Sequence, residues 1–176
     1  MNFIYRPAQM KDLEELGHLF IETFIHRDPM TAHLQLTENE AMDYCRVIFP
    51  ESIKDALTCL AVDKNTNKIA GFASSFREDI TNDPSVVSRL NPRLLDAMAD
   101  TSHVFDILLK PLENFEGYNP QKCFTVMYAG VHSNYTGHSL SISLTQNLLN
   151  RAVAIGFETA ISECTSRRSL KQILRL

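Results

Sequence analysis

The run His132-Ser133-Asn134-Tyr135-Thr136-Gly137-His138-Ser139 lies between an apolar stretch and a long helical pattern. A helix starting there presents amide N–H groups without intrahelical partners, together with the positive end of its dipole. Phosphate binds such an end when small residues let it reach the backbone. Gly137, Ser139 and Ser141 are small. The chemistry on offer is anion binding; the plainer alternative is a helix start closed by its own polar caps. His132 and His138 flank the run on different elements, and no H-x-x-x-H with a carboxylate accompanies them. They read as loop polarity, and no metal is expected. Cys45, Cys59, Cys123 and Cys164 form no C-x-x-C pair. They read as small core residues of a reducing compartment, with a nucleophilic Cys164 as the lesser alternative.

The elements around that run alternate between helical and strand periods. Asn2–Arg6 reads as a strand. Gln9–Phe24 reads as a helix with Leu13, Leu16, Phe20 and Phe24 on one face, bounded by Pro7 and His26–Pro29. Thr37 with Glu40 fits a capping box that opens a second helix. Leu57–Asp63 and Lys68–Phe76 read as a hairpin joined by Lys64–Asn67. Between Arg77 and Gln121, helical patterns occur around Ser85–Ala99 and His103–Leu109, with turns at Asp83-Pro84 and Asn91-Pro92. Cys123–Val131 is a strand and Gly137–Ile155 a helix. Leu140, Leu144, Leu148, Ala152 and Ile155 form that helix's inward stripe, and Gly156 sits at C′. Glu158–Cys164 is a further strand and Ser166–Leu176 a last helix. The unit at Cys123–Cys164 is expected to cross over right-handed.

The run YAGVHSNYTGHSLSISLTQNLLNRAVAIGFETAISECTS resembles motif A of the GNAT acyltransferases and the strand that follows it. The family's pattern is [QR]-x-x-G-x-[GA], after a strand and opening a helix. Here it reads Thr136-Gly137-His138-Ser139-Leu140-Ser141. The resemblance covers nearly the whole chain. The paired helices and the segment HRDPMTAHLQLT look like the arylalkylamine and dopamine N-acetyltransferase branch. It implies an α/β (α+β, mixed-sheet) fold in the order β-α-α-β-β-insert-β-α-β-α. One domain spans residues 1–176, with a substrate-side insertion over 77–121 and an acyl-CoA-binding unit over 123–164. Three positions depart from the pattern. Thr136 replaces Arg or Gln, Ser139 replaces Gly, and Ser141 replaces Gly or Ala. A charge-assisted phosphate contact worth roughly 1.5–3 kcal/mol is thereby absent.

What the resemblance implies is an N-acetyltransferase that carries an acetyl group from acetyl-CoA to a primary amine, a small molecule. The alternative is a module of the same fold that binds CoA or a partner with impaired catalysis. The strand before the cradle splays from the next one, so that pantetheine pairs with Ala129, Gly130 and Val131. An amide near Val131 polarises the thioester carbonyl, and Ala160–Cys164 forms the opposite wall. Asp28 matches an acidic-Pro-apolar motif as the base that takes the ammonium proton; the alternative is a turn cap before Pro29. Glu163 stands beside the splay, where it would orient the amine or remain solvated. Ser166 lies near the CoA thiol. Ser169 substitutes for the tyrosine acid of the family, whose position Ile173 occupies here. Phe105, Phe115 and Tyr118 of the insertion either line an amine pocket or pack over the sheet edge.

Bulk properties agree with such a protein. The 176 residues suit one domain. A net charge of -4 argues against a nucleic-acid backbone as partner. MNFIYRPAQM lacks the apolar core of a signal peptide, and no run of about 18 apolar residues reads as a membrane span. A cytoplasmic location is expected. The chain stops at Ile173-Leu174-Arg175-Leu176, where the family's helix runs on into a Gly-Phe turn and two more strands. The expectation is an exposed edge that a homodimer covers, or else a truncated product.

Overall fold

The computed structural model describes residues 2–77, 80, 83–116 and 118–176. Residues 78, 79, 81, 82 and 117 of the expected insertion lie outside them. Strands β1 (Phe3–Pro7), β2 (Thr58–Asp63), β3 (Ile69–Arg77), β4 (Cys123–Val131) and β5 (Thr159–Ile161) form one mixed sheet in sequence order. The first three pairings are antiparallel, and β4 and β5 run parallel. The β2–β3 hairpin closes through Asn67, whose φ is +58°, with its amide bonded to the Asp63 carbonyl. All of β2 is buried, and β3 is buried up to Phe76. Continuous burial of this kind belongs to a sheet covered on both faces.

One cover is built by α1 (Leu13–Phe20) and α3 (Glu38–Lys54). Phe20, Phe49, Phe72 and Phe76 are almost fully buried between them and the sheet. The Tyr128 ring meets Phe20 and Phe24 edge-on at 4.9 Å. The other cover is α6 (Leu140–Ala154), which buries Leu140, Leu144, Leu148 and Ala152 against the sheet. Each buried leucine contributes roughly 2 kcal/mol. A missing N-cap costs about 1 kcal/mol, so packing carries this helix even though no side chain caps its start.

Several elements differ from the sequence reading. Gln9–Phe24 is not one helix: a 3-10 turn at Met10–Asp12 leads into α1, which continues as a π-turn over Ile21–Ile25. Thr23 Oγ1 within that turn bonds back to the Leu19 carbonyl at 2.6 Å. A short helix, α2 (Pro29–His33), follows where only a turn was expected. The capping box is as read, with Thr37 and Glu40 bonded reciprocally. Asp83 and Asn91 do not merely mark turns; each caps a helix whose first residue is proline, α4 (Pro84–Val87) and α5 (Pro92–Leu109). The two expected helical patterns thus fall mostly into one continuous α5. The helix after the cradle begins at Leu140 rather than Gly137, because Gly137 and Ser139 have positive φ. Its stripe ends at Ala152, leaving Ile155 48% exposed. Gly156 has φ +100° and completes a Schellman closure, with the Phe157 amide bonded to the Ala152 carbonyl. Finally, β5 ends at Ile161, so Glu163 and Cys164 lie beyond the strand. Ser166 caps α7 (Arg167–Ile173).

Candidate functional site

Strands β4 and β5 pair over three residues only: Cys123 with Thr159, Phe124 with Ala160, and Thr125 with Ile161. Beyond that point β4 runs on alone to Val131. The Ser162 hydroxyl, 3.4 Å from the Val126 carbonyl, marks where they part. On its other side β4 stays paired with β3, through a register shift that leaves Met127 as an extra residue. The His132 amide bonds to the Ala70 carbonyl at 3.0 Å. In an antiparallel ladder, residues alternate between facing the partner strand and facing away. Gly130, opposite Phe72, therefore spends its backbone groups on β3, whereas Ala129 and Val131 turn theirs to the parted side. Of Ala129, Gly130 and Val131, the first and last therefore direct their backbone groups away from β3. Gly130 has a separate role: a Cβ there would stand 2.1 Å from Thr23 Oγ1 and 2.6 Å from Phe72 Cε1. Only glycine lets the π-turn lie on β4.

The loop after β4 is tied down before it reaches α6. Its first turn, Ser133–Tyr135, is capped by His132, whose Nδ1 accepts from the Asn134 amide at 3.1 Å. His132 Nε2 lies 3.5 Å from Glu22 Oε2, and the Ser133 amide donates to Glu22 Oε1. Burial opposes ionisation of Glu22, yet the Ser133 amide and hydroxyl, His132 and Arg27 together hold its pKa below the ordinary value. Tyr135 donates to Asp63 Oδ2 at 3.0 Å and meets Phe3 edge-on. Glu15, Glu22, Lys68, His132 and Tyr135 are among the residues lining a cleft of about 420 Å³ beside this loop.

The amides of residues 137–142 donate to no protein acceptor among the described residues; the first return bond of α6 runs from Ser143 to the Ser139 carbonyl. No acidic side chain occupies the first turn, so its dipole is not neutralised there. Gly137 (φ +85°) and Ser139 (φ +54°, ψ 21°) set the path of the backbone through this turn. Thr136, Gly137, His138 and Ser139 are exposed, and Ser141 is half-buried. Leu140 is buried in the core and offers only its amide. The Thr136 hydroxyl donates to the Ser133 carbonyl at 3.1 Å, which engages its proton. The start of α6 thus leaves its amides open, next to the place where β4 and β5 part.

The remaining candidates fall into two groups. Asp28 is buried and is the N-cap of α2. Its Oδ2 accepts from the Met30 amide (3.1 Å), the Thr31 amide (3.0 Å) and the Thr31 hydroxyl (3.0 Å). Its Oδ1 accepts from the Thr165 hydroxyl, 137 positions along the chain. The cap alternative is therefore realised, though it uses only one of the two oxygens. Ser166 and Ser169 form a capping box, with the Ser169 hydroxyl donating to the Ser166 carbonyl at 2.8 Å. They pair with each other at the start of α7. Glu163 is half-buried in the segment between β5 and α7. Asp28 is thus joined to that segment through Thr165. Of the insertion's aromatics, Phe115 is 65% exposed.

Sequence reasoning missed Thr165, Glu22 and Tyr135. Glu22 shares a helix face with Glu15 and Leu19, a signal that looks like ordinary surface. Thr165 carries no local signal, because its partner is remote. Two hydroxyls are buried beside this region: Tyr44 and Tyr128 share a 2.5 Å hydrogen bond. Burial pushes Tyr44 up to about 12, and burial, with Tyr44, Cys45 and Asp28 nearby, raises Tyr128 well above its ordinary value, so both stay protonated. Burial also pushes the Cys45 thiol up to about 12 and Cys59 to about 11, which suits inert core thiols. Among the described residues no group of acidic, His and Cys side chains is arranged to hold a metal. Among the described residues no helix is long and apolar enough to cross a membrane.

No protein-family model and no curated protein matches the chain. Solved structures do. Arylalkylamine N-acetyltransferase 2 from Aedes aegypti is similar with a TM-score of 0.76 and 16% identity, over 99% of this chain and 82% of that one. A polyamine N-acetyltransferase of Drosophila melanogaster, which forms N-acetylagmatine, gives 0.74 and 15%, over 99% and 81%. The C-terminal condensation domain of Ebony gives 0.70 and 13%, over 97% and 79%. At such identities the likeness is one of fold.

Proposed function

We propose that this chain, whose fold is that of the GNAT N-acetyltransferases, transfers an acetyl group from acetyl-CoA to a small primary amine. The observation that carries this reading is the parting of β4 from β5 next to the open amides of residues 137–142. A pyrophosphate fits those amides, aided by the dipole of α6. Pantetheine fits the outward backbone groups of Ala129 and Val131. The Val131 amide polarises the thioester carbonyl where charge develops. Asp28 takes the proton of the incoming ammonium. The neutral amine then forms the new C–N bond as the C–S bond breaks, and the leaving thiolate takes the nitrogen's second proton, so that CoA departs as the thiol. Glu163, Ser166 and Ser169 stand on the far wall, where the two serines hold the start of α7 in place. His138 adds an imidazole beside the phosphates.

The reading of the acceptor as a small amine is supported by proteins of similar fold named for acetylating arylalkylamines and forming N-acetylagmatine. Release of free thiol from acetyl-CoA tests the reading, using a panel of arylalkylamines, polyamines and amino acids. Turnover with at least one amine is expected; turnover with none contradicts it. A second reading, a CoA-binding module with impaired catalysis, is favoured by Ser139, whose Cβ stands where the family has glycine. That reading predicts CoA binding without thiol release. The domain spans residues 1–176, with 77–121 on the amine side, and the protein acts in the cytoplasm. A second copy covers the outer edge of β5, so a dimer mass is expected by sedimentation at tens of micromolar. A strictly monomeric mass would remove that part.

A further inference from the structure

We infer that this chain pairs with a second copy of itself through two helix faces of opposite charge, α7 of each copy seating on α5 of the other. The inference goes beyond the acetyltransferase reading and requires no catalysis. It uses a surface distinct from the outer edge of β5. In α5, Asp96, Asp100, Val104 and Ile107 follow at intervals of four, four and three, which sets them on one face. All four are exposed, Ile107 by 55%. Leu94 and Met98, on the opposite side of the helix, join the core. In α7, Arg167, Lys171 and Leu174 follow at intervals of four and three, with Leu170 beside them. These are exposed too, Leu174 by 77%. Leu174 is the C-cap and keeps helical dihedrals, so it continues the face.

Both faces lie open to solvent, so they do not cover each other within one chain. Among the described residues Asp96, Asp100, Arg167 and Lys171 take part in no ion pair. Arg89 and Arg93, at the start of this region, are already engaged by Glu51 and Glu40. Four residues of helix rise about 6 Å, so the two acids and the two cations have the same spacing. With α7 laid parallel along α5, Arg167 meets Asp96, Lys171 meets Asp100, and Leu174 meets Val104 and Ile107. Burial of the apolar side chains drives the contact, while the charges set its register and its choice of partner. In a two-fold pair the contact is made twice. An anionic lipid surface would satisfy α7 alone, leaving Ile107 uncovered, and the net charge of -4 opposes it.

The test is a charge swap followed by sedimentation equilibrium of the full chain at tens of micromolar. The parent is expected to be a dimer. One variant carries Arg167→Glu with Lys171→Glu, the other Asp96→Lys with Asp100→Lys. Each alone sets like charges against each other in both contacts, and its dimer Kd is expected to rise on the order of a hundredfold. An equimolar mixture of the two variants is expected to restore the parent's dimer, because every contact then joins opposite charges. An unchanged Kd in either variant overturns the inference, and so does a mixture that stays monomeric. Should a double change unfold the chain, Lys171→Glu and Asp100→Lys are compared and mixed in the same way. A monomeric parent, including one that sediments with phosphatidylserine vesicles, overturns both this inference and the dimer at β5, and leaves the acetyltransferase reading standing. A parent dimer that ignores both reversals overturns the inference alone.

Discussion

Ser139 holds the cradle's conformation against its own preference. Its φ of +54° lies in the left-handed region, where an L-residue with a Cβ pays about 1–2 kcal/mol relative to glycine. The backbone thus keeps the shape of a glycine-bearing phosphate loop while carrying a serine. Ser139→Gly relieves that strain but adds unfolded-state freedom, which returns part of the gain. A net stabilisation of roughly 0.5–1 kcal/mol is expected, read as a Tm rise of about 1–4 °C. The same change removes the Cβ beside the incoming phosphates, so affinity for CoA is expected to rise. A Ser139→Gly protein with lower Tm and weaker binding would show that the serine contributes contacts rather than strain. This position was legible in the sequence as a departure from a motif. Its left-handed backbone was not, because serine rarely announces such a conformation.

Between elements, the close fit of the π-turn on β4 places Asp28 beside the parted strands. Gly130 makes that approach possible. Gly130→Ala drives a methyl into Thr23 Oγ1 and the Phe72 ring, an overpacking that costs typically 1–3 kcal/mol. A Tm fall of several degrees is expected, together with a loss of turnover exceeding any loss of CoA affinity, since α1 and α2 must shift while the cradle need not. A variant with unchanged Tm would show that the turn lies further from β4 than described. Thr23→Ala in the same chain is expected to recover part of the loss. The periodicity of Leu13, Leu16 and Phe20 revealed α1, and the proline-flanked caps at Asp83 and Asn91 were visible as turns. The π-turn was invisible, because an inserted residue in a helix leaves the apolar pattern almost intact. The short β5 was overread for a related reason: ISECTS continues in strand-like residues after its partner has gone. Where β4 and β5 separate depends on pairing, which no local pattern encodes.

At the scale of the whole molecule, the two covers of the sheet do different work. The aromatic cluster of Phe20, Phe49, Phe72, Phe76 and Tyr128 fixes α1 and α3, and through them Asp28. The leucine face of α6 fixes the cradle. The strand–loop–helix order at Cys123–Ala154 was readable from sequence, since it combines a buried apolar run, small residues and a 3.6-residue stripe. The link between the covers, from Asp28 to Thr165, joins positions remote in the chain and had to be seen in three dimensions. Binding of acyl-CoA at the start of α6 is read by titration calorimetry with acetyl-CoA and desulfo-CoA, with Tm followed in parallel. A ligand at about 100 times its Kd stabilises the folded state by roughly 2.7 kcal/mol, which for a chain of this size raises Tm by about 5–10 °C. Measurable heat and such a shift are expected with both ligands, whereas no heat and no Tm change at millimolar ligand would rule out acyl-CoA binding there.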